Sequence, residues 1–251
     1  MRVCVLQADN RLTLDYLIKT QRVIKLFCGI LHYEYSFVKI DEKYGNIHPA
    51  TKKIYIINEF LKNPFDILVF LDSDAWIQNG FCLDSIIRNL IKSNKHGCFS
   101  RDPYLKVHTF INSGSFIIKN NEYIKQMYTT IIKDLESNSK HHNKWPFDQF
   151  YISNYIFKNK QDFVIFVPNI LNTAEGKVLR HNWPKNQKMY EDLEKLLYTL
   201  LYFIKKKIGG KVHFNEQRYY DKREFPNKLE HGYEYKGILK DKKKPVKYIM
   251  F

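Results

Sequence analysis

An α/β fold, a mostly parallel twisted sheet flanked by helices, is what the sequence predicts. Three observations carry it. Short, continuous apolar runs alternate with longer segments of helical spacing across residues 1–185. The apolar runs lack a polar alternate position, as strands buried on both faces do. The most apolar run, Ile67-Leu68-Val69-Phe70-Leu71, ends abruptly in two carboxylates, Asp72 and Asp74. In open α/β sheets ligands bind beyond the carboxyl ends of the strands.

Residues 2–7 read as a buried strand. Residues 12–29 carry Leu14, Leu17, Ile18, Ile24, Leu26 and Phe27 at roughly helical spacing. Residues 34–40, EYSFVKI, read as a second strand, and residues 48–64 as a helix ended by Pro64. The strand at 67–71 is followed by a helix over 83–91. GCFS (97–100) and SGSFIIKN (113–120) read as strands, with a helix over 121–137. Residues 145–159 are helical and 163–169, FVIFVPN, form a further strand. Past His181 the pattern changes: residues 186–208 form one long helix with Leu193, Leu196, Leu197, Leu200, Leu201 and Ile204 on its apolar side. The remainder is basic, Tyr-rich and weakly periodic. The expected organisation is a catalytic domain over 1–185 and a helical, basic extension over 186–251 packed on it.

The chain has 251 residues, 44% of them hydrophobic, so a sizeable core can be buried. A net charge of +15 and a pI near 9.4 favour acidic partners: nucleic acid, an anionic membrane or phosphorylated small molecules. Abundant Lys, Asn, Ile and Tyr also follow from an AT-rich coding sequence. The cysteines, Cys4, Cys28, Cys82 and Cys98, lack CxxC pairing, so a zinc site and a disulfide framework are not expected; they read as reduced core residues. The N-terminus starts in a strand rather than a signal peptide, no apolar run approaches the ~20 residues of a membrane span, and no Asn-x-Ser/Thr sequon occurs. A cytoplasmic protein is the expectation.

Along an extended backbone Asp72 and Asp74 point to one side with Ser73 opposite. Two hard oxygen ligands on one side suit Mg²⁺ or Mn²⁺, which can bridge nucleotide phosphates. A bare Asp-x-Asp also arises by chance, as a solvated turn or a helix cap. The other polar positions carry similar alternatives. Lys53, beside Lys52, reads as a solvated helix face. Asn112-Ser113-Gly114 is an ordinary turn, or a place where Gly114 permits close approach and Asn112 offers a donor and an acceptor to sugar hydroxyls. Asp148 and Gln149 cap a helix after Pro146 or contact a ligand. His181 is a surface histidine or a metal ligand beside Trp183-Pro184. Asp9 and Arg11 follow the first strand, in a plain loop or where a carboxylate can accept a hydrogen bond and a guanidinium can pair with a phosphate.

FDILVFLDSDAWI resembles the DxD strand of GT-A nucleotide-sugar glycosyltransferases, and the retaining galactosyl/xylosyltransferase families with their viral relatives in particular. Three further segments match in order: KKIYIINEFL, FINSGSFIIKNN and PFDQFYIS. LRHNWP then offers a histidine where those families place a third metal ligand. The resemblance covers residues 1–185 and implies a GT-A-like fold. It implies Asp72, Asp74 and His181 as ligands of Mn²⁺ or Mg²⁺, and Asp9, Arg11, Lys53, Ser73 and Gly114 at a nucleoside diphosphate sugar, a UDP-sugar first among them. It implies Asn112, Asp148 and Gln149 at the reacting sugar, with transfer to a glycan hydroxyl and retention of configuration. Where those families often have two acidic residues before the glutamine, this chain has Phe147 and Asp148.

Two other classes stand beside this one. A hydrophobic strand ending in DxD also opens haloacid-dehalogenase-type phosphohydrolases, with Asp72 as nucleophile; the Thr or Val expected two residues past Asp74 is absent. A nucleic-acid binder is suggested by charge alone, with no zinc-finger, RNP or recognition-helix signature, and nucleic acid is not expected as a partner. The segment LLYTLLYFIKKKIGG fits either a helix packed on the domain or a peripheral membrane contact, and KDKKKP a solvated tail. The viral likeness adds an infected host cell as a setting.

Overall fold

The computed structural model describes residues 1–103, 110–184 and 186–205. The chain divides into two compact units, Met1–Glu194 and Lys195–Phe251. The first contains the whole sheet. Its elements are β1 (Val3–Asp9), α1 (Asp15–Leu31), β2 (Glu34–Lys39), α2 (Pro49–Phe60), β3 (Ile67–Leu71), β4 (Ala75–Ile77), α3 (Gly80–Lys92), β5 (Gly97–Arg101), β6 (Ile111–Lys119), α4 (Glu122–Ser137), α5 (Asp148–Lys158), β7 (Phe163–Phe166), α6 (Pro168–Leu171) and β8 (Leu179–His181). A further helix, α7 (Gln187–Phe203), begins in it.

The six-stranded sheet has the order β2-β1-β3-β6-β5-β7. β1 runs parallel to β2 and β3, β5 runs parallel to β7, and β6 lies antiparallel between β3 and β5. Five strands therefore share one direction, as expected of a mostly parallel sheet. β1 and β3 are buried at every position, which is why the sequence shows continuous apolar runs there. Phe70, Phe116 and Phe99, from β3, β6 and β5, stack in a row with ring centroids 5.2 Å apart. Over them lie Ile54 and Ile57 of α2, Met127, Tyr128 and Ile131 of α4, and Ile152 and Ile156 of α5. The other apolar helix faces are Leu17, Val23, Ile24 and Leu26 of α1 and Leu83, Ile87 and Leu90 of α3.

Several helices begin at side-chain caps that the Asn-rich composition supplies. Asn79 accepts from the Cys82 N–H and Asn121 from the Ile124 N–H. His48 accepts from the Ala50 N–H, with Pro49 opening α2. α2 ends at Phe60, four residues before Pro64. Residues 163–169 are not one strand: Pro168, fixed in φ, opens α6 instead. Three cysteines are buried, but Cys82 is exposed in the first turn of α3 and is not a core residue. β4 and β8, three residues each, escape any periodicity reading; they pair antiparallel as a separate ribbon. α7 lies within the long helix expected over 186–208. The lysines beyond Lys205 and the KDKKKP segment fall outside the described residues. No helix among those described is long and apolar enough to cross a membrane.

The Phe70–Phe116–Phe99 row is the packing on which the strand order around the site rests. Phe116→Ala should lower the free energy of unfolding by about 3–5 kcal/mol, the range for a buried aromatic truncation. Urea titration followed by circular dichroism would measure it.

Candidate active site

The site lies beyond the carboxyl ends of β1 and β3, where the reversed strand β6 begins. β3 stops at Leu71, opposite Ser115 of β6. The Asp72 N–H then donates to the Gly114 carbonyl over 2.7 Å, and the Ala75 N–H returns to the Asp72 carbonyl over 2.9 Å. Asp72-Ser73-Asp74 is thus a turn rather than an extended segment. Ser73 does not point away: it lines the same cavity as the two carboxylates. The turn is pinned from beneath. Gln7, a fully buried amide in β1, donates to the carbonyls of Asp72 (2.9 Å) and Ala75 (3.4 Å), and Thr20 of α1 donates to the Ser73 carbonyl (2.8 Å).

β4 carries the chain out of the turn and pairs with β8, Ala75 opposite His181. This register delivers His181 to the carboxylates. Its Nε2 lies 3.1 Å from Asp74 Oδ1 and 3.8 Å from Asp72 Oδ2. One ligand atom from each of the three residues falls within 4.8 Å of the others. Two carboxylate oxygens and one imidazole nitrogen form a donor set that suits Mn²⁺ or Mg²⁺, with room for phosphate and water oxygens in the shell. Burial opposes the charges of Asp74 and His181, yet their attraction prevails. The Asp74 carboxyl is held below its usual range, and the His181 imidazolium is stabilised by Asp74 and Asp72.

Lys53 is not on a solvated face. It is 5% exposed, and its ammonium lies 2.7 Å from Asp72 Oδ1 and 3.3 Å from Asp148 Oδ2. Burial works against its charge, but Asp148 and Asp72 more than offset it and raise its pKa. Asp148 does not cap its helix. The cap position is Phe147, with φ 54° and no side-chain bond, and the Asp148 carboxylate turns instead to Lys53. Burial pushes the Asp148 pKa up to about 6, against the pull of Lys53. A bulky residue at positive φ is strained backbone, of a kind that clusters at ligand sites.

Asp9 and Arg11 hold each other in a two-pronged pair of 2.9 and 3.0 Å. Burial would raise the Asp9 pKa, but the bonds from Arg11 and Ser73 lower it overall. Asn112 and Gln149 share a partner that the sequence reading missed: Asp102 accepts from both, at 3.1 and 2.9 Å. The oxygen of Asn112 accepts from the Gly114 N–H. Asp102 follows the end of β5 as Asp72 follows β3, and that position was the signal that could have found it. Gly114 gives close approach to a neighbouring side chain: a Cβ there would overlap the His181 ring. The anticipated site residues thus all line one cavity of about 560 Å³, joined by Asp102, His48 and Trp183.

The fold has parallels among solved structures. The chain is similar to a glycosyltransferase involved in the glycosylation of the major capsid of PBCV-1, at 16% identity, over 78% of this chain and 99% of that one, with a TM-score of 0.60. It is also similar to the glycosyltransferase GlyE of Streptococcus pneumoniae TIGR4, at 15% identity and a TM-score of 0.51, over 79% of this chain and 63% of GlyE. The apo form of GlyE matches at 13% identity and a TM-score of 0.54, over 81% of this chain and 62% of that one. The chain therefore spans just under two thirds of GlyE. No protein-family model and no curated protein matches it. At such identities the likeness is one of fold, and the fold of this chain is the GT-A-like fold of glycosyltransferases.

Proposed function

We propose that this protein is a metal-dependent glycosyltransferase. It moves a hexose or pentose from a nucleoside diphosphate sugar, a UDP-sugar first among them, to a hydroxyl of a glycan or glycoconjugate, with retention of configuration. The observation that carries the reading is the convergence of Asp72, Asp74 and His181 in one cavity of this fold. Those three residues would hold Mn²⁺ or Mg²⁺. When bound, the ion supplies Lewis-acid neutralisation of the diphosphate leaving group.

The remaining roles belong to the chain's own groups. Asp9, fixed by Arg11, offers a carboxylate oxygen to the ribose or base. Lys53 supplies a positive charge beside the phosphates, because Asp148 and Asp72 outweigh burial and raise its pKa. Asp148 sits across Lys53 from Asp72 and can stabilise positive charge developing on the sugar. If transfer inverts, Asp148 is the general base. Gln149 and Asn112 are oriented by Asp102, so these amides meet the sugar in fixed positions.

Calorimetric titration with UDP tests the metal reading. Binding should require Mn²⁺ or Mg²⁺, and Asp74→Asn should weaken it at least about tenfold, as expected when a metal shell is perturbed, with the melting temperature retained. Full affinity of Asp74→Asn in EDTA would refute it. Turnover tests Asp148. Its pKa near 6 leaves it protonated at pH 5 and ionised at pH 7, so kcat/KM should rise through about pH 6 and level off above it. Asp148→Asn should lose that limb and most of the turnover while keeping affinity for UDP. A collapse of UDP affinity together with turnover would place Asp148 in the nucleotide site instead.

A further inference from the structure

Asn172, at the end of α6, is fully buried. Its Nδ2 donates to two main-chain carbonyls, those of Asn112 (3.1 Å) and Ser115 (2.8 Å) in β6. A carboxamide has one donor nitrogen and one acceptor oxygen. The two carbonyls therefore decide which way the amide faces, because the reversed rotamer would set three oxygens against one another. With Nδ2 so engaged, Oδ1 faces His181 Nδ1 across 3.1 Å. Oδ1 can only accept, so the hydrogen of that bond belongs to Nδ1. A neutral His181 that keeps this bond has its lone pair on Nε2, against the pull of Asp74 Oδ1, which lies 3.1 Å from the same nitrogen and could accept a hydrogen from it.

The ring has little freedom to escape this arrangement. It lies against Gly114, where even a Cβ would overlap Cε1 and Nδ1. The main-chain N–H of His181 is tied to the Thr173 carbonyl (3.1 Å), and β8 fixes the residue opposite Ala75. An unconstrained neutral histidine favours the Nε2–H tautomer, which would place a hydrogen where a cation must be bound.

We propose that Asn172 is a positioning residue for the metal site: it selects the Nδ1–H tautomer of His181 and so reserves Nε2 for the divalent ion. The inference rests on the metal reading above. Ring nitrogens that bind metals are commonly directed by the bond that the other nitrogen makes, and loss of such a partner typically costs about tenfold to hundredfold in affinity. Nothing in the sequence singles out Asn172, because its partners lie 57 to 60 residues away and nine residues ahead.

Two variants separate this role from a scaffolding one. Asn172→Leu keeps much of the volume but offers no acceptor. Asn172→Asp keeps the acceptor and gives up the donor to both carbonyls. Mn²⁺ affinity would be read by calorimetry in the presence of UDP. The tautomer would be read by long-range ¹H–¹⁵N NMR of His181 at alkaline pH, where the ring is neutral. Wild-type protein should show the Nδ1–H form. Asn172→Leu should shift toward Nε2–H and bind Mn²⁺ about tenfold to hundredfold more weakly. Asn172→Asp should melt at a lower temperature yet keep the tautomer and most of the affinity. An Nε2–H ring in the wild type overturns the proposal, as does equal loss of affinity in both variants. If Asn172→Leu fails to fold, the wild-type spectrum and Asn172→Asp still decide. Wild-type protein with an Nδ1–H ring that takes up no Mn²⁺ supports the tautomer assignment and contradicts the metal reading alone.

Discussion

Two carboxylates and an imidazole nitrogen meet at the end of β3, and as bare acceptors they repel one another unless a proton or a cation lies among them. In this protein that demand is built in. His181 is buried and Asp74 partly so, and burial penalises their charges while each lowers the penalty for the other. Filling the space with a divalent ion would satisfy all three at once and would displace a proton from His181, coupling metal uptake to pH. The local architecture serves to hold this convergence open. The β4–β8 ribbon sets Ala75 against His181, the Asn182 N–H binds the Asp74 carbonyl over 2.9 Å, and Gln7 ties down the turn from the strand beside it.

A second charge arrangement surrounds the first. Lys53 stands between Asp72 and Asp148 and is as buried as a core residue. A buried ion pair of this kind is weak evidence for stability, since desolvation offsets most of the attraction. Its value here is spatial: one ammonium fixes the separation between the Asp72 and Asp148 carboxylates. The strained backbone at Phe147, whose ring stacks on His48 with centroids 4.0 Å apart, holds the start of α5 in the orientation that brings Asp148 inward.

Much of this was legible in the sequence. The strands buried on both faces, β1 and β3, announced themselves as apolar runs, and the end of β3 marked the site through the two carboxylates. What escaped was set by contacts that leave no periodic trace. β4 and β8 are too short to show a pattern, yet their register brings His181 to Asp74. Lys53, which beside Lys52 suggested a solvated face, is buried because two carboxylates from distant segments meet it. The extended picture of Asp72-Ser73-Asp74 failed because the Ala75 N–H closes a turn, so Ser73 joins its neighbours in the cavity rather than opposing them. Asp102 and Asn172 act by orienting other side chains, and such roles depend wholly on tertiary neighbours. The basic C-terminal segments beyond Lys205 lie outside the described residues and carry none of the argument.

The proposed metal site stands on His181 joining Asp72 and Asp74 as a ligand. Pulsed electron paramagnetic resonance of Mn²⁺ bound together with UDP tests it most directly, because a coordinated imidazole nitrogen leaves a hyperfine coupling that solvent and carboxylates do not. The account predicts one directly bound ¹⁴N in the wild-type protein, lost in His181→Ala. A spectrum with no nitrogen coupling, or one unchanged by His181→Ala, would contradict it.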